Sequence, residues 1–187
     1  MADAAEQEQE LIERALAGDI NAFEAIYRAH SGMVYSVAYR IVNNAGDAEE
    51  VTQDVFMSMH QNLKNFRGNS SLKTWAYRIT VNRSLNALRR AGRIRSREQL
   101  FDHDVNPDDL PNNIDQNIEA SAAQEKAAEL LNALDPEKRA CLTLRAIDGL
   151  SYEEISAALG ININTVRTRL KRAREFLLNR EKTGARP

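Results

Sequence analysis

Apolar positions three and four residues apart run through most of the chain, the spacing of helices that bury one face. Leu11, Ile12, Ala15 and Leu16 form a short amphipathic set that Gly18 and Asp19 close. Phe23, Ile26, Tyr27, His30, Val34, Val37, Ala38 and Ile41 then recur as one face of a longer helix. Asn43-Asn44-Ala45-Gly46 interrupts the pattern. Asp47 with Glu50 predicts a capping box for a third helix, whose Val51, Val55, Met59 and Leu63 share a face. After a second break at Asn65 to Ser70, Ser70 or Ser71 is placed to cap a helix carrying Leu72, Trp75, Ala76 and Ile79. No alternating apolar-polar run competes, so the predicted fold class is all-α.

The periodicity stops between about Glu98 and Asp115, where QLFDHDVNPDDLPNN has the composition of a solvated linker. It resumes with Ile118, Ala122, Ala127, Leu130, Leu131 and Leu134, and Asp135-Pro136 then predicts a helix start. The expected organisation is an N-terminal helical domain over 1–95, an acidic linker over 96–117 and a C-terminal helical domain over 118–187.

The C-terminal stretch DGLSYEEISAALGININTVRTRLKRAREFL reads as a helix-turn-helix. Gly149 ends one helix, and Ser151 with Glu154 forms a capping box for the next. Gly160 supplies a left-handed turn residue, Ile161 fills the corner and Asn162 caps the following helix. Val166, Leu170, Ala173 and Leu177 make that helix's buried stripe. At 100° per residue, Asn164, Thr168, Lys171 and Arg172 lie opposite the stripe, with Arg167 and Arg169 on the flanks. Arg167, Thr168, Lys171 and Arg172 are candidates for base contact, while Arg169 and Arg174 suit phosphate.

Charge adds a second surface. The net charge is only −2, yet from Lys73 to Arg97 there is no Asp or Glu, and Lys73, Arg78, Arg83, Arg89, Arg90, Arg93, Arg95 and Arg97 stand uncompensated. An acidic block from Glu98 to Glu119 follows, and the chain turns basic again from Arg167 to Arg174. Two basic segments parted by an acidic one point to two surfaces for a polyanion. The lone cysteine, Cys141, cannot form an intramolecular disulfide. MADAAEQEQE lacks an apolar signal core, and no run approaches the ~20 apolar residues of a membrane span. The expected location is the cytoplasm.

DAEEVTQDVF (Asp47 to Phe56), FRGNSSLKTWAYRITVNR (Phe66 to Arg83) and GLSYEEISAALGININTVRTRLKRAR (Gly149 to Arg174) together resemble the extracytoplasmic-function sigma factors of bacterial RNA polymerase. The resemblance implies a dissociable promoter-specificity subunit. Its partners would be core RNA polymerase, through the clamp coiled coil of the largest subunit and the flap of the second-largest, and promoter DNA. A cognate anti-sigma factor, often membrane-attached in this family, is also implied. Val51, Gln53 and Asp54 fall where the family docks on the clamp. Arg67, Gly68, Asn69, Ser70 and Ser71 match the loop that receives a base flipped from the minus-ten element. Lys73, Trp75, Arg78, Asn82 and Arg83 match the helix that holds the melted strand. Asn164, Arg167, Thr168, Arg169, Lys171 and Arg172 match the reader of the minus-thirty-five element.

Elementary chemistry is consistent with those roles. Gly68 permits close backbone approach and the neighbouring hydroxyls can read a base edge. An acid-free basic helix suits a phosphate track. Trp75, at helical spacing with Leu72, Ala76 and Ile79, has the placement that more often marks a core residue than a stacking platform.

No nucleotide-binding glycine motif and no HExxH is present, and His30, His60 and His103 are far apart. Neither a catalytic residue nor a metal site nor a cofactor nor a small-molecule substrate is expected. The rival reading is an autonomous helix-turn-helix regulator that binds operator DNA unaided, as a dimer.

Overall fold

The computed structural model describes residues 2–66, 68, 70–101 and 122–184, and every regular element among them is helical. The order is α1 (Ala2–Leu16), α2 (Ile20–Val42), α3 (Ala45–Asn62), a 3-10 turn (Leu63–Asn65), α4 (Leu72–Phe101), α5 (Ala122–Asn132), α6 (Pro136–Ala146), α7 (Tyr152–Leu159) and α8 (Ile163–Gly184). Most of the predicted linker, 102–117, lies outside the described residues.

Short polar residues set the helix starts. Asp19 accepts from the Asn21 and Ala22 amides to open α2, and Asp135 accepts from Glu137 N–H with Pro136 at the first helical position of α6. The start of α3 differs from the capping box expected at Asp47 and Glu50. Its cap is Asn44, which is extended (φ −147°) and accepts from Asp47 N–H at 2.9 Å. Asn caps as well as Asp, and Asn43 at φ 56° has already turned the chain out of α2. Asp47 is left inside the first turn, where its charge suits the helix dipole.

Two cores hold the chain together. The first joins α1 to α4 through Ile12, Ile26, Val34, Val55, Met59 and Leu72, among others. The second takes Val37 and Ile41 from α2 and Tyr77 and Val81 from α4. It packs them on Ala140, Cys141, Leu144, Leu150, Ile155, Ala158, Val166 and Leu170. Thus α2 serves both cores, which is why its middle is apolar on more than one side. Fully buried side chains such as Leu144, Ile155 and Leu170 contribute about 1.5–3 kcal/mol each.

Polar contacts cross the second core as well. Arg139, buried, donates from Nη1 to the Ile41 carbonyl at 2.7 Å and from Nη2 to the Asn132 and Leu134 carbonyls. Burial pushes its guanidinium pKa down. Tyr77 is buried here, in the same core as Val81.

Candidate nucleic-acid interface

The helix-turn-helix is built as its sequence directs. Ser151 Oγ accepts from Glu154 N–H at 3.1 Å while Glu154 accepts from Ser151 N–H at 2.7 Å. Gly160 ends α7 at φ 64° and donates its N–H to the Ser156 carbonyl. Asn162 Oδ1 accepts from Asn164 N–H at 2.8 Å to start α8. Val166, Leu170 and Ala173 are fully buried, and Leu177 half-buried.

This packing turns Asn164, Arg167, Thr168, Lys171 and Arg172 to solvent. Arg167 donates to Asn164 Oδ1 at 3.0 Å, and Thr168 Oγ1 donates to the Asn164 carbonyl at 2.8 Å, so the first turn of the face is ordered. Lys171 lies 3.8 Å from Glu175. Arg169 is set apart: its side chain is 24% exposed and paired with Glu137 on α6, which also meets Arg89 of α4 at 3.5 Å. Burial raises the Cys141 thiol, with nearby Arg169 pulling the other way.

On α4 the cationic positions are separated by core positions. Lys73, Arg78 and Asn82 are exposed, and Arg83 lies 3.9 Å from Asp54 of α3. Lys73 Nζ sits 5.9 Å from the centre of the Tyr77 ring. Trp75 is partly buried, its ring 5.2 Å from that of Phe66 and packed on the first core. Gly68 has φ 67°, a left-handed conformation that L side chains rarely adopt. Gly68, Ser70 and Ser71 are exposed, and Ser71 Oγ accepts from Thr74 N–H at 3.1 Å as the local cap of α4. Arg67 and Asn69 lie outside the described residues.

The two basic surfaces meet. A side-chain carbon at Gly160, in the turn of the helix-turn-helix, would lie 3.6 Å from Arg78 of α4. The Lys73 ammonium favours the charged forms of the Asp148 and Glu154 carboxylates. Tyr77 Oη donates to Asp148 at 3.1 Å; burial first, then Asp148, holds that phenol above its ordinary range.

Of the three α3 positions, Val51 is 3% exposed and belongs to the first core, so its side chain offers no contact surface. Gln53 is exposed and Asp54 half-buried. Gln53 instead lines an open groove of about 510 Å³ with Phe23, Phe56, Met57, His60 and Gln61. Met57 is 60% exposed there, and the Phe23 and His60 rings stand edge to face at 4.9 Å. Sequence reasoning passed over Met57, although it lies one helical turn beyond Gln53. His30 is half-buried; burial and Lys73 push its imidazole down while Glu8 opposes. Among the described residues no group of His, Cys, Asp and Glu is arranged to hold a metal ion, and no helix is long and apolar enough to cross a membrane.

Comparison with known proteins bears on both surfaces. A model of sigma-70 region 2 matches residues 26–94, and one of sigma-70 region 4 matches residues 124–177. The RNA polymerase sigma-H factor of Pseudomonas aeruginosa is 34% identical over 183 residues, covering 92% of this chain and 92% of that protein. The ECF RNA polymerase sigma-E factor of Escherichia coli K12 is 33% identical over 189 residues, covering 92% of this chain and 93% of that protein. ECF sigma factor SigE of Mycolicibacterium smegmatis is 38% identical over 155 residues. That match takes in 83% of this chain and 60% of the longer relative. In fold, the chain resembles CnrH in complex with the cytosolic domain of CnrY (TM-score 0.68, 23% identity, 95% of this chain and 98% of that one). It also resembles RpoE in complex with the anti-sigma factor NepR from Bartonella quintana (TM-score 0.67, 24% identity, 87% and 98%).

Proposed function

The chain belongs to the extracytoplasmic-function sigma factors of bacterial RNA polymerase, and from that premise we propose how its surfaces divide the work of promoter recognition. The exposed face of α8 reads the minus-thirty-five element, with Arg167, Thr168, Lys171 and Arg172 at base edges and Asn164 supporting Arg167. Arg169 is kept from the phosphate backbone by its pair with Glu137 and can serve it only when that pair is released. The loop from Phe66 to Ser71, which includes Arg67 and Asn69, receives a minus-ten base. Lys73, Arg78, Asn82 and Arg83 carry the separated strand, and Trp75 braces the helix from beneath. Gln53 and Asp54, with the adjoining Met57 groove, meet core polymerase. The protein works in the cytoplasm and performs no catalysis of its own.

The observation that carries this reading is a cationic recognition-helix face and, in the same chain, a helix whose stretch from Lys73 to Arg97 is basic and free of Asp and Glu. Their placement adds a requirement. The two promoter elements are centred about 25 base pairs apart, roughly 85 Å of duplex at about 3.4 Å per pair. Arg78 and the turn at Gly160 are within contact distance. Both elements therefore cannot be read until the second core opens. By analogy with RpoE, solved in complex with the anti-sigma factor NepR, an anti-sigma factor is the partner expected to favour the closed form.

Run-off transcription with core polymerase tests the reading. Promoter-dependent RNA should appear only when core enzyme and this protein are both present. Operator binding by the protein alone, with no transcript in the complete mixture, would favour the autonomous regulator.

A further inference from the structure

The amino end of α4 is capped in two parts. Ser71 takes the Thr74 amide, as a local cap does, but a cap side chain reaches only the second or third amide of its helix. The first amide, Leu72 N–H, is taken by Glu8 of α1: Leu72 N–H donates to Glu8 Oε1 at 2.7 Å, across 64 residues of sequence. A carboxylate at that position makes a charge-assisted hydrogen bond and favours the positive end of the helix dipole.

Glu8 is held there by its own helix. Ile12, one turn further along α1, is 4% exposed in the first core, and Leu11 and Ala15 pack on that core. At the far end of α1, Arg14 pairs with Asp19 at 2.8 Å. The loop before α4 is thus clamped on both sides. Upstream, Phe66 N–H donates to Leu63 O at 2.9 Å and the Phe66 ring rests on Trp75. Downstream, Ser71 and Leu72 are fixed by the split cap. All of α1 lies upstream of the segment 26–94 that matches sigma-70 region 2.

We propose that Glu8 is a positioning residue for minus-ten recognition: from α1 its carboxylate fixes the start of α4 at Leu72, directly after Ser70 and Ser71, and so holds those residues where a base is received. This rests on the reading of the loop given above. It assigns a promoter-opening role to the N-terminal helix.

The test uses the full chain with core polymerase and labelled minus-ten fork probes, one intact and a set with a single abasic site at each position. For the wild type, the probe most weakened by its abasic site marks the captured base. Glu8→Ala should bind the intact probe roughly tenfold more weakly, as expected for loss of a helix cap. On the marked abasic probe it should bind like the wild type, because no base remains to be captured. Glu8→Gln keeps an acceptor oxygen for Leu72 N–H and should recover most of the affinity. Core-polymerase affinity should be the same for all three proteins. Wild-type affinity of Glu8→Ala on the intact probe would overturn the proposal, as would an equal loss on intact and abasic probes, the mark of a general structural defect. If no abasic site weakens the wild type, the reading of the loop fails and Glu8 loses its role with it.

Discussion

The hydroxyl of Tyr77 donates to Asp148 Oδ1 at 3.1 Å, tying the second turn of α4 to the turn after α6 across 71 residues of sequence. Burial lifts the Asp148 carboxyl above its ordinary range, against the opposing pull of Tyr77, Arg40 and Lys73. This contact lies where the two basic surfaces meet. Its chemistry is therefore a probe of whether the halves are packed together.

Asp148→Asn should stabilise the free protein at neutral pH. A carboxyl whose folded pKa exceeds its unfolded value binds its proton more tightly when folded, so stability falls as pH rises between the two values. Above the folded pKa the deficit is fully present. Asparagine does not ionise and its carbonyl still accepts from Tyr77. Melting curves should show the gain at neutral pH and its disappearance as pH falls through the Asp148 transition. A lower melting temperature for the variant at neutral pH would contradict this.

Gly160→Ala should cost about 1–2 kcal/mol, the penalty of a left-handed conformation for a residue with a side chain. The new carbon would lie 3.6 Å from Arg78, ordinary contact, so the cost comes from the backbone at φ 64° and not from crowding. Denaturant titration measures it, and Gly160→Asn should cost less. Equal stability of Ala and Gly at this position would show that α7 ends differently.

Glu137→Gln should free Arg169 for DNA. The ion pair is partly exposed, so folding stability should change by less than about 1 kcal/mol. One additional phosphate contact steepens the dependence of log affinity on log salt by about 0.9. The holoenzyme's salt slope on a promoter fragment reads this directly. An unchanged slope would remove Arg169 from the phosphate contacts.

Arg172→Ala should weaken minus-thirty-five recognition by roughly 1–3 kcal/mol and relax specificity at one base pair. Competition binding across single-base variants of the element measures both effects. A uniform loss across variants would reassign Arg172 to the phosphate backbone.

Local chemistry made much of this architecture legible in the sequence. The Ser151–Glu154 box, the left-handed Gly160 and the Val166–Leu170–Ala173 stripe each depend on residues within one or two turns. The helix-turn-helix therefore emerged with its outward face correctly oriented. The start of α3 was misplaced because Asn44 and Asp47 are both able caps, and only the backbone turn at Asn43 decides between them. Val51 is apolar and lies on the stripe with Val55 and Met59, so its own periodicity already pointed to the core where it is found. What no pattern could supply were the contacts between distant segments: Glu8 with Leu72, Tyr77 with Asp148, and Arg139 with the Ile41 carbonyl. Each joins groups that are unremarkable in their own helices and meet only once the helices pack.

Permanganate footprinting of a promoter fragment tests the central claim most directly. Thymines of the minus-ten element should become reactive when core polymerase and this protein are both present, and stay unreactive with either alone. Reactivity with core enzyme alone, or none in the complete mixture on a promoter that the holoenzyme binds, would contradict the assignment of promoter opening to this chain.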